Sequence, residues 1–544
     1  MLKYGLTIIL YTCSLFAWGQ DAKFWHWKDL EKDGVHGVSL LKAQQLLSDL
    51  KLKPTPIIIA VLDGGIDTSH RLIRPSLWNN PKEIPGNQID DDKNGYVDDL
   101  HGWNFLGNAI GQNINKAADE KSRVYHRYKN EFNQAIIDSS KWDQKKKLSF
   151  KIWQQAAAEI VFTDEDADNL AFIKMAKNAV VKMGNILIKE IEDSNFTAEK
   201  LEPYQPIGKI TADTKISYLR TLQALGVDKT SGFQSIVEDL NEYIVGKEQS
   251  AISMDTAPED LRKNIIHDQY QDLSDQYYGN NNIMGPNAKH GTHVAGLAAG
   301  ITDTVLTNSS FNNPIKIMGV RVVPDGDEYD KDIALGIRYA VNNGAKVINM
   351  SFGKSFSPEQ AWVDSAIRYA ASKDVLIIHS AGNESYDLNT KSVYPSPYSN
   401  VFKDRASNMI TVGASSDPVI AESILTDFSN FGNQIVDLLS PGNKIFSTLP
   451  NQNFGFLNGT SMSAPILSHI AGLIRAYFPK LTAKEVKEIM LQSCWKPKDE
   501  NSLFPIPHKD GSQKMNEIAA EGGIINAALC IQHAANYSSR KNKK

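Results

Sequence analysis

Five short runs of apolar and β-branched residues constrain the fold of this 544-residue chain more than any other feature. They lie at 57–62, 315–323, 347–350, 375–379 and 409–412. Apolar runs of this length are typical of strands that are buried on both faces of a parallel sheet. Segments with a helical spacing of apolar residues lie between them, at 332–342 and 361–371. The pattern therefore predicts an α/β fold with a doubly wound, mostly parallel sheet and crossover helices.

Polar residues follow two of these runs directly. Asp63 ends the first run and precedes two glycines, and Ser380-Ala381-Gly382-Asn383 follows the fourth run. An Asp or Asn beside glycine is, by itself, typical of a turn. In doubly wound sheets, however, ligands bind at the carboxyl ends of the strands. Both positions are therefore candidates for a functional site.

Two further segments carry groups that are typical of nucleophilic catalysis. They are His290-Gly291-Thr292-His293-Val294-Ala295-Gly296, and Gly459-Thr460-Ser461-Met462-Ser463-Ala464-Pro465 before a helix predicted to reach Phe478. Two close histidines can bind zinc, but this spacing lacks the glutamate and the i, i+4 histidines of the zinc motif. A serine at a helix start is usually an N-cap. A serine nucleophile, in contrast, needs an imidazole to accept its proton and a carboxylate to orient that imidazole.

The segments around Asp63, His290 and Ser461 supply these three groups in the order Asp, His, Ser, and they resemble the motifs of the subtilisin-like serine peptidases. The resemblance implies that Ser461 is the nucleophile, that His290 is the general base and that Asp63 orients His290. It also implies that Asn383 donates a hydrogen bond in the oxyanion hole.

This resemblance covers residues 55–105 and 285–530, and it departs from the family pattern beside the predicted triad. Many members carry Ser or Thr where this chain has Gly64, so a hydrogen bond that supports Asp63 is expected to be missing. His293 is expected to be structural. The family resemblance implies no catalytic cofactor.

The resemblance also implies three segments that bind substrate. Ser351-Phe352-Gly353 is expected to hold an extended peptide by strand addition, with Gly326-Asp327-Glu328 on the other edge of the cleft and Ser380-Ala381-Gly382 completing it. Acidic residues around Asp327 favour substrates with basic residues before the scissile bond. A solvated acidic loop is the alternative reading.

An acidic segment predicts a cation site. Residues 90–99 have the Asp-x-Asp-x-Asn-Gly spacing of a calcium loop, in which oxygen ligands alternate and glycine permits a sharp turn. The loop is not a complete EF-hand, since His101 stands where the twelfth-position glutamate belongs. An acidic turn without metal is the alternative. The predicted ligands of a structural Ca²⁺ are Asp90, Asp92, Asn94, Tyr96 and Asp98, with Asp99 as the alternative to Asp98.

A long insertion separates Asp63 from His290, which lies 227 residues further on. The sequence at 106–284 is polar and helical. One predicted helix in it spans 216–225 and is capped by Gly226. We expect this insertion to emerge near the active site and to act in access or substrate choice; an idle decoration and a docking module are the alternatives. One apolar helix face is formed by Leu170, Ile173, Ala176, Val180, Met183, Leu187 and Ile191.

The amino terminus has the features of an export signal. Lys3 supplies a positive charge, residues 5–18 are apolar but too short to span a bilayer, and Ala17 and Gly19 offer small residues for cleavage. An uncleaved anchor helix is the alternative. The predicted organisation is a signal peptide at 1–19, an N-terminal extension at 20–54, the peptidase domain at 55–105 and 285–535, the helical insertion at 106–284 and a basic tail at 536–544.

Composition narrows the class of partner. The net charge of -5 and the pI near 6.2 leave no basic surplus for a phosphate backbone, so nucleic acid is not an expected partner. Polypeptide substrates are expected, with no membrane span after signal cleavage, and the oligomeric state is left open. Cys494 and Cys530 remain after cleavage, and spacing alone does not join them. The sequence favours a peptidase exported to the periplasm or the medium; the alternative is a catalytically silent relative that binds peptides or partners.

Overall fold

The chain forms two compact units. The computed structural model describes residues 23–133, 139–227, 229, 231–286, 288–301, 313–399, 401–421, 423–505 and 511–541, so the predicted signal peptide lies outside it. The first unit comprises Met1–Glu120 and Asp260–Lys544, and the second unit comprises Lys121–Glu259. The predicted insertion at 106–284 is thus wider than the second unit.

The first unit is built on one large sheet. The described strands are β1 (Ile57–Asp63), β2 (Gly102–Asn104), β3 (Ile315–Arg321), β4 (Val347–Met350), β5 (Leu376–Ser380), β6 (Tyr398–Ser399), β7 (Asp404–Arg405), β8 (Met409–Ser415), β9 (Leu438–Pro441), β10 (Ile445–Leu449), β11 (Asn453–Leu457), β12 (Cys494–Trp495), β13 (Leu503–Pro505), β14 (Ser512–Lys514) and β15 (Ile524–Ile525). Nine of them form the large sheet, in the order β12-β15-β9-β8-β5-β4-β1-β3-β2, and every neighbouring pair is parallel except β12 and β15.

Helices connect these strands and make up the second unit. Within the described ranges, no helix is both long enough and apolar enough to cross a membrane. The helices are α1 (Leu30–Asp33), α2 (Leu40–Asp49), α3 (Glu120–Phe132), α4 (Gln144–Glu159), α5 (Asp164–Ile191), α6 (Ala198–Leu201), α7 (Lys209–Ala224), α8 (Phe233–Ser253), α9 (Ala288–Ala298), α10 (Asp330–Asn342), α11 (Gln360–Ser372), α12 (Pro418–Ala421), α13 (Thr460–Tyr477), α14 (Ala483–Leu491), α15 (Met515–Ile518) and α16 (Ala527–Lys541).

Strand β1 is buried on both faces, as its sequence predicts. Side chains alternate between the faces of a strand, so Ile59 and Val61 pack into one core that also contains α13. Ala60 and Leu62 pack into the other core, which contains α10. The five predicted strands are all present, and helices cover both faces of the sheet. The predicted doubly wound α/β fold is therefore confirmed.

The second unit is helical and has a core of its own. The longest helix, α5, begins at a capping box in which Thr163 and Asp166 satisfy each other's backbone N–H groups. Leu170, Val180 and Leu187, from its predicted apolar face, are buried. Val180 and Leu187 belong to the core of this unit, which also includes Phe196, Leu201, Tyr218, Leu222 and Phe233.

Candidate active site

Strand β1 and helix α9 bring Asp63 and His290 into direct contact. Asp63 is the last residue of β1, and His290 Nδ1 lies 2.9 Å from Asp63 Oδ1 and 3.1 Å from Oδ2. The Gly64 N–H also donates to Oδ1, at 2.7 Å. A Cβ on Gly291 would lie 2.1 Å from the carbonyl oxygen of Gly65, so only glycine lets α9 approach this closely. Because Asp63 accepts from Nδ1–H, Nε2 is left as the acceptor that a general base needs.

The pKa of His290 is raised above its ordinary value of 6.5. Burial, the largest single contribution, lowers this pKa, but the negative charge of Asp63 and its hydrogen bond together outweigh burial. The His290 side chain is still 42% exposed, so a substrate can reach it. Asp63 therefore makes His290 a stronger base without removing it from the surface.

Ser461 lies in the first turn of α13, at the same edge of the sheet. Its Oγ donates to the carbonyl oxygen of Ser351 at 3.1 Å, and Ser351 Oγ donates back to the Ser461 carbonyl at 2.8 Å. Leu62 pairs with Met350 in register, so the residues that follow them, Asp63 and Ser351, end neighbouring strands side by side. The three predicted triad residues are thus gathered at one strand edge.

The hydroxyl of Ser461 does not bond to His290 in this conformation. Both residues are described, and the hydrogen bond of Ser461 Oγ goes to Ser351 instead. Catalytic hydrogen bonds are often loose without substrate and tighten only in the complex. Activation of Ser461 therefore requires its Oγ to leave the Ser351 carbonyl.

Asn383 is oriented by the residue before Ser461. Its Oδ1 accepts from the Thr460 N–H at 2.9 Å and from Thr460 Oγ1 at 3.0 Å. A backbone N–H can only donate, so the bonded atom must be the amide oxygen and Nδ2 is the outer atom. Within the described residues Nδ2 has no hydrogen-bond acceptor. It is available to an oxyanion beside the start of α13, where backbone N–H groups and the helix dipole add to the positive potential.

Sequence reasoning missed the supporting role of Thr460. Its Oγ1 accepts from the Gly382 N–H at 3.0 Å while it donates to Asn383, so one hydroxyl joins α13 to the turn after β5. Thr460 directly precedes Ser461 in the motif, and this position is the sequence signal that could have identified it. His293 has the expected structural setting, since its Nε2–H lies 3.0 Å from the Ile445 carbonyl and burial lowers its pKa to about 3.

Arg321, at the end of β3, is a second missed residue. It is 1% exposed, and its Nε donates to the Gly64 carbonyl at 2.9 Å. Two further N–H groups donate to Asn104 Oδ1 at 3.2 Å and the Ile114 carbonyl at 3.0 Å. Burial lowers its pKa to about 10. Arg321 thereby holds the turn after Asp63. Gly64 lacks the hydroxyl that many members carry there, but its N–H donates to Asp63.

The three predicted substrate-binding segments differ in how many of their polar groups already form hydrogen bonds within the protein. In the 351–353 segment, the Ser351 carbonyl accepts from Ser461 and the Phe352 carbonyl accepts from His379 Nε2 at 2.8 Å. A Cβ on Gly353 would lie 3.0 Å from a Val393 methyl group.

In the 380–382 segment, the first two residues continue the sheet beside β8. Ser380 pairs with Val412 in register, and Ala381 N–H donates to the Val412 carbonyl. Gly382 has a φ of +101°, which favours glycine, so the chain turns here towards Asn383.

In the 326–328 segment, the carboxylates are turned into the protein. Gly326 has a φ of +108°, and a Cβ there would lie 2.1 Å from the Ala117 carbonyl oxygen. Asp327 Oδ2 accepts from the Glu120 N–H at 2.7 Å, and Glu328 is 2% exposed. Burial raises the pKa of Glu328 to about 8, although the Lys354 charge opposes this. These contacts give no support to the predicted preference for basic substrate residues.

The acidic loop brings together a set of ligands that differs from the predicted one. Carboxylate oxygens of Glu83, Asp90 and Asp92 lie within 4.8 Å of one another. Asp98 is not part of this group, because its two oxygens accept from the N–H groups of Gly86 and Gln88 at 2.9 Å.

Two of the other predicted ligands, Asn94 and Tyr96, form a hydrogen bond with each other. Glu83, which the sequence did not predict, belongs to the carboxylate group instead. Asn94 Oδ1 accepts from the Tyr96 N–H at 2.8 Å. Glu83 precedes the motif, so the loop spacing gave no signal for it. Its Oε1 accepts from the N–H groups of Asp91 and Asp92. Its Oε2 is buried and has no hydrogen-bond partner among the described residues, so this oxygen is free to coordinate a cation.

Comparison with known proteins places the chain in a family. The model of the subtilase family matches residues 55–522. Cell wall-associated protease of Bacillus subtilis (strain 168) is 31% identical over 333 residues, which cover 59% of this chain and 33% of that protein. Major intracellular serine protease of the same strain is 34% identical over 238 residues, 43% of this chain and 69% of that protein. Thermitase of Thermoactinomyces vulgaris is 36% identical over 186 residues, 34% of this chain and 60% of that protein.

The chain thus spans about a third of the length of the first relative and somewhat more than half of the third. The family match, in contrast, runs across most of this chain and includes the segments of Asp63, His290, Asn383 and Ser461. The chain therefore belongs to the subtilase family.

Proposed function

We propose that this chain is a serine endopeptidase that cleaves polypeptides through an acyl-enzyme at Ser461. The observation that carries the proposal is the hydrogen bond between Asp63 and His290 at the sheet edge where α13 presents Ser461. Each group has the chemistry that its role needs: a hydroxyl, a base with a free Nε2, and a buried carboxylate that orients the base. The reaction uses side chains of the protein itself and requires no catalytic cofactor.

The proposed steps follow from this arrangement. Ser461 Oγ attacks the substrate carbonyl carbon while His290 Nε2 accepts the hydroxyl proton. The oxyanion receives a hydrogen bond from Asn383 Nδ2 and from backbone N–H at the start of α13. Collapse of this intermediate breaks the C–N bond, and His290 returns the proton to the leaving amine. Water then attacks the acyl carbon while His290 Nε2 accepts its proton. Collapse of this second intermediate breaks the bond between the carbon and Ser461 Oγ, His290 returns the proton to Oγ, and the acid is released.

Labelling and hydrolysis together test the proposal. The purified, processed protein is expected to hydrolyse a general protein substrate and to react with a fluorophosphonate probe, and Ser461→Ala is expected to lose both. Ser463→Ala is the matched control, because Ser463 lies in the same helix but donates to the buried Ser440 carbonyl. Absence of labelling in folded wild-type protein would contradict the proposal and favour the catalytically silent, peptide-binding alternative.

We further propose that the acidic loop binds a structural Ca²⁺. Hard oxygen ligands from Glu83, Asp90 and Asp92 suit this ion, and Glu83 is 6% exposed, so its charge is expensive to bury alone. Burial is the largest cause of the raised pKa of Glu83, and the charges of the neighbouring aspartates add to it. A bound cation would stabilise the ionised form and fix the loop.

Export is proposed on the amino-terminal sequence. Lys3, the apolar residues 5–18 and the small residues at 17 and 19 support a cleaved signal. One relative is named a cell wall-associated protease, which fits a chain that leaves the cytoplasm. Amino-terminal sequencing of protein recovered outside the cytoplasm is expected to begin near Gln20, whereas an intact Met1 would contradict cleavage.

A further inference from the structure

A buried lysine lies directly beside the predicted substrate cleft. Lys354 follows the 351–353 segment, and its side chain is 0% exposed. Its Nζ lies 2.6 Å from the Glu328 carbonyl oxygen, 2.8 Å from Glu120 Oε2 and 2.9 Å from Asp330 Oδ1. The first two contacts are hydrogen bonds and the third is an ion pair, so the ammonium is surrounded by acceptors of its charge.

These contacts join the two edges of the cleft. The main chain of Lys354 exchanges two hydrogen bonds with Tyr394, at 3.0 and 2.8 Å, which fixes the end of the 351–353 segment. The side chain reaches from there to the carbonyl of Glu328, the last residue of the 326–328 segment. One ammonium therefore connects the two segments that are expected to flank a bound peptide.

The acceptors are themselves held by other groups. Asp330 also accepts from Ser357 Oγ and from the Glu359 N–H, both at 2.9 Å. Glu120 is held twice, since its N–H donates to Asp327 while its carboxylate pairs with Lys354. Glu120 is the last residue of the first unit before the chain enters the second unit. The network thus links the residue that precedes the second unit to both cleft edges.

Buried charges are costly to desolvate, so their attraction often adds little net stability, while the loss of one partner leaves an uncompensated charge. In some proteins such a network instead restricts the structure to one geometry. We propose that Lys354 is a positioning residue that sets the spacing between the 326–328 and 351–353 segments and so determines how extended polypeptides bind. This inference rests on the proposed peptidase function.

Substrate length provides the discriminating measurement. A chromogenic substrate with a single residue before the scissile bond contacts the catalytic groups but does not span both segments, whereas a tetrapeptide with the same final residue does. Lys354→Met is expected to lower kcat/KM about 10²-fold on the tetrapeptide, because small misplacements of binding groups have effects of this size. The loss on the single-residue substrate should be much smaller. Lys354→Arg keeps the charge and should recover part of the tetrapeptide activity.

A second buried lysine supplies the matched control. The Lys331 side chain is also 0% exposed, but its ammonium donates to Asp268 and to the Gln269 carbonyl, at 2.8 and 2.9 Å, and both acceptors lie outside the two cleft segments. Lys331→Met therefore carries a similar folding penalty without the proposed positioning effect. Rates are normalised to fluorophosphonate-reactive sites, so that unfolded protein does not count. Glu120→Gln, which keeps an acceptor for Lys354, serves as a milder variant with the same expected length dependence.

The outcomes separate the two proposals. Equal normalised losses on short and long substrates, or the same length dependence in Lys331→Met, would overturn the role of Lys354 while leaving a peptidase in place. Wild-type protein that is folded but neither labelled nor active would instead overturn the proposed function. A length-dependent loss in Lys354→Met and Glu120→Gln alone would support both.

Discussion

At the scale of single residues, the Asp63–His290 contact determines how activity depends on pH. The base must be neutral to act, so kcat/KM should rise with pH around a midpoint above 6.5, because Asp63 raises the pKa of His290. In Asp63→Asn the burial of His290 remains but the attraction is lost, so the midpoint should move to lower pH. The maximal rate should fall about 10⁴-fold, as expected when the carboxylate no longer orients the imidazole. Peptide hydrolysis measured from pH 5 to pH 10 checks both shifts.

Stability supplies an independent check on the same pair. A raised folded-state pKa means that the contact stabilises fully below the unfolded value of 6.5 and loses its effect as pH rises through the folded value. Asp63→Asn should therefore destabilise the protein more at pH 6 than at pH 9 in urea unfolding. An equal loss at both pH values would contradict the raised pKa.

The Asn383–Thr460 contact predicts a coupled effect on catalysis. Asn383→Ala should lower kcat about 10²- to 10³-fold with little change in KM, because the amide acts mainly on the oxyanion. Thr460→Val removes the hydroxyl that orients this amide and should lower kcat less, by about tenfold. In a double-mutant cycle Thr460→Val should add almost nothing to Asn383→Ala. Additive losses would show that Thr460 acts independently of Asn383.

Some of the residues at the candidate site could be predicted from the sequence, and others could not. Asp63, His290, Asn383 and Ser461 could be singled out because each stands in a distinctive local motif. Lys354 could not, because a lysine in sequence is typical of a solvated surface and only tertiary packing buries it. Its three acceptors lie at distances of 24 to 234 residues along the chain, which no local pattern records. Arg321 was hidden for the same reason.

At the scale of elements, the acidic loop at 83–99 gives a prediction on metal binding. Calcium titration should show one tight site and a rise in melting temperature, and excess chelator should reverse that rise, because the ion offsets the crowded carboxylates. Glu83→Gln should weaken binding at least about tenfold, since it removes one charged ligand. Asp98→Asn, whose carboxylate bonds to Gly86 and Gln88, is the control and should affect stability more than affinity. An unchanged melting temperature in chelator would leave an acidic turn without metal.

Strands were predicted better than loops. The run at 347–350 matches β4 at both ends, because continuous apolar burial on a parallel sheet is recorded in every residue of the run. Strand β8 continues to Ser415, three residues past its apolar run, because pairing with β9 extends it. Asp98 was misplaced for a related reason. The spacing of the loop shows only which oxygens are close in sequence. The direction of the Asp98 carboxylate is set by its hydrogen bonds to the N–H groups of Gly86 and Gln88, which the spacing does not record.

At the scale of the whole molecule, the chain divides into two units, and the expected role of the insertion in substrate choice can be tested on this division. The large sheet, its two cores and the proposed catalytic residues all belong to the first unit. Buried charges within the first unit also hold the chain on either side of the second unit. Glu120 pairs with Lys354 on one side, and Arg262 pairs with Asp268 and Asp332 on the other, at 2.8 and 2.6 Å. Each of these ion pairs therefore joins residues that lie within the first unit.

This arrangement predicts that replacing Lys121–Glu259 with a flexible Gly/Ser linker leaves a folded, fluorophosphonate-reactive protein. The entropic cost of closing such a linker grows only slowly with its length, so Glu120 and Arg262 should keep their buried ion pairs. Hydrolysis of a short chromogenic peptide should change little. If the second unit governs access or substrate choice, cleavage of a folded protein substrate should change by more than about tenfold, as for the loss of a specific interface. Unaltered rates on both substrates would instead identify the second unit as dispensable for substrate choice, and loss of labelling would show that the first unit cannot maintain its active site alone.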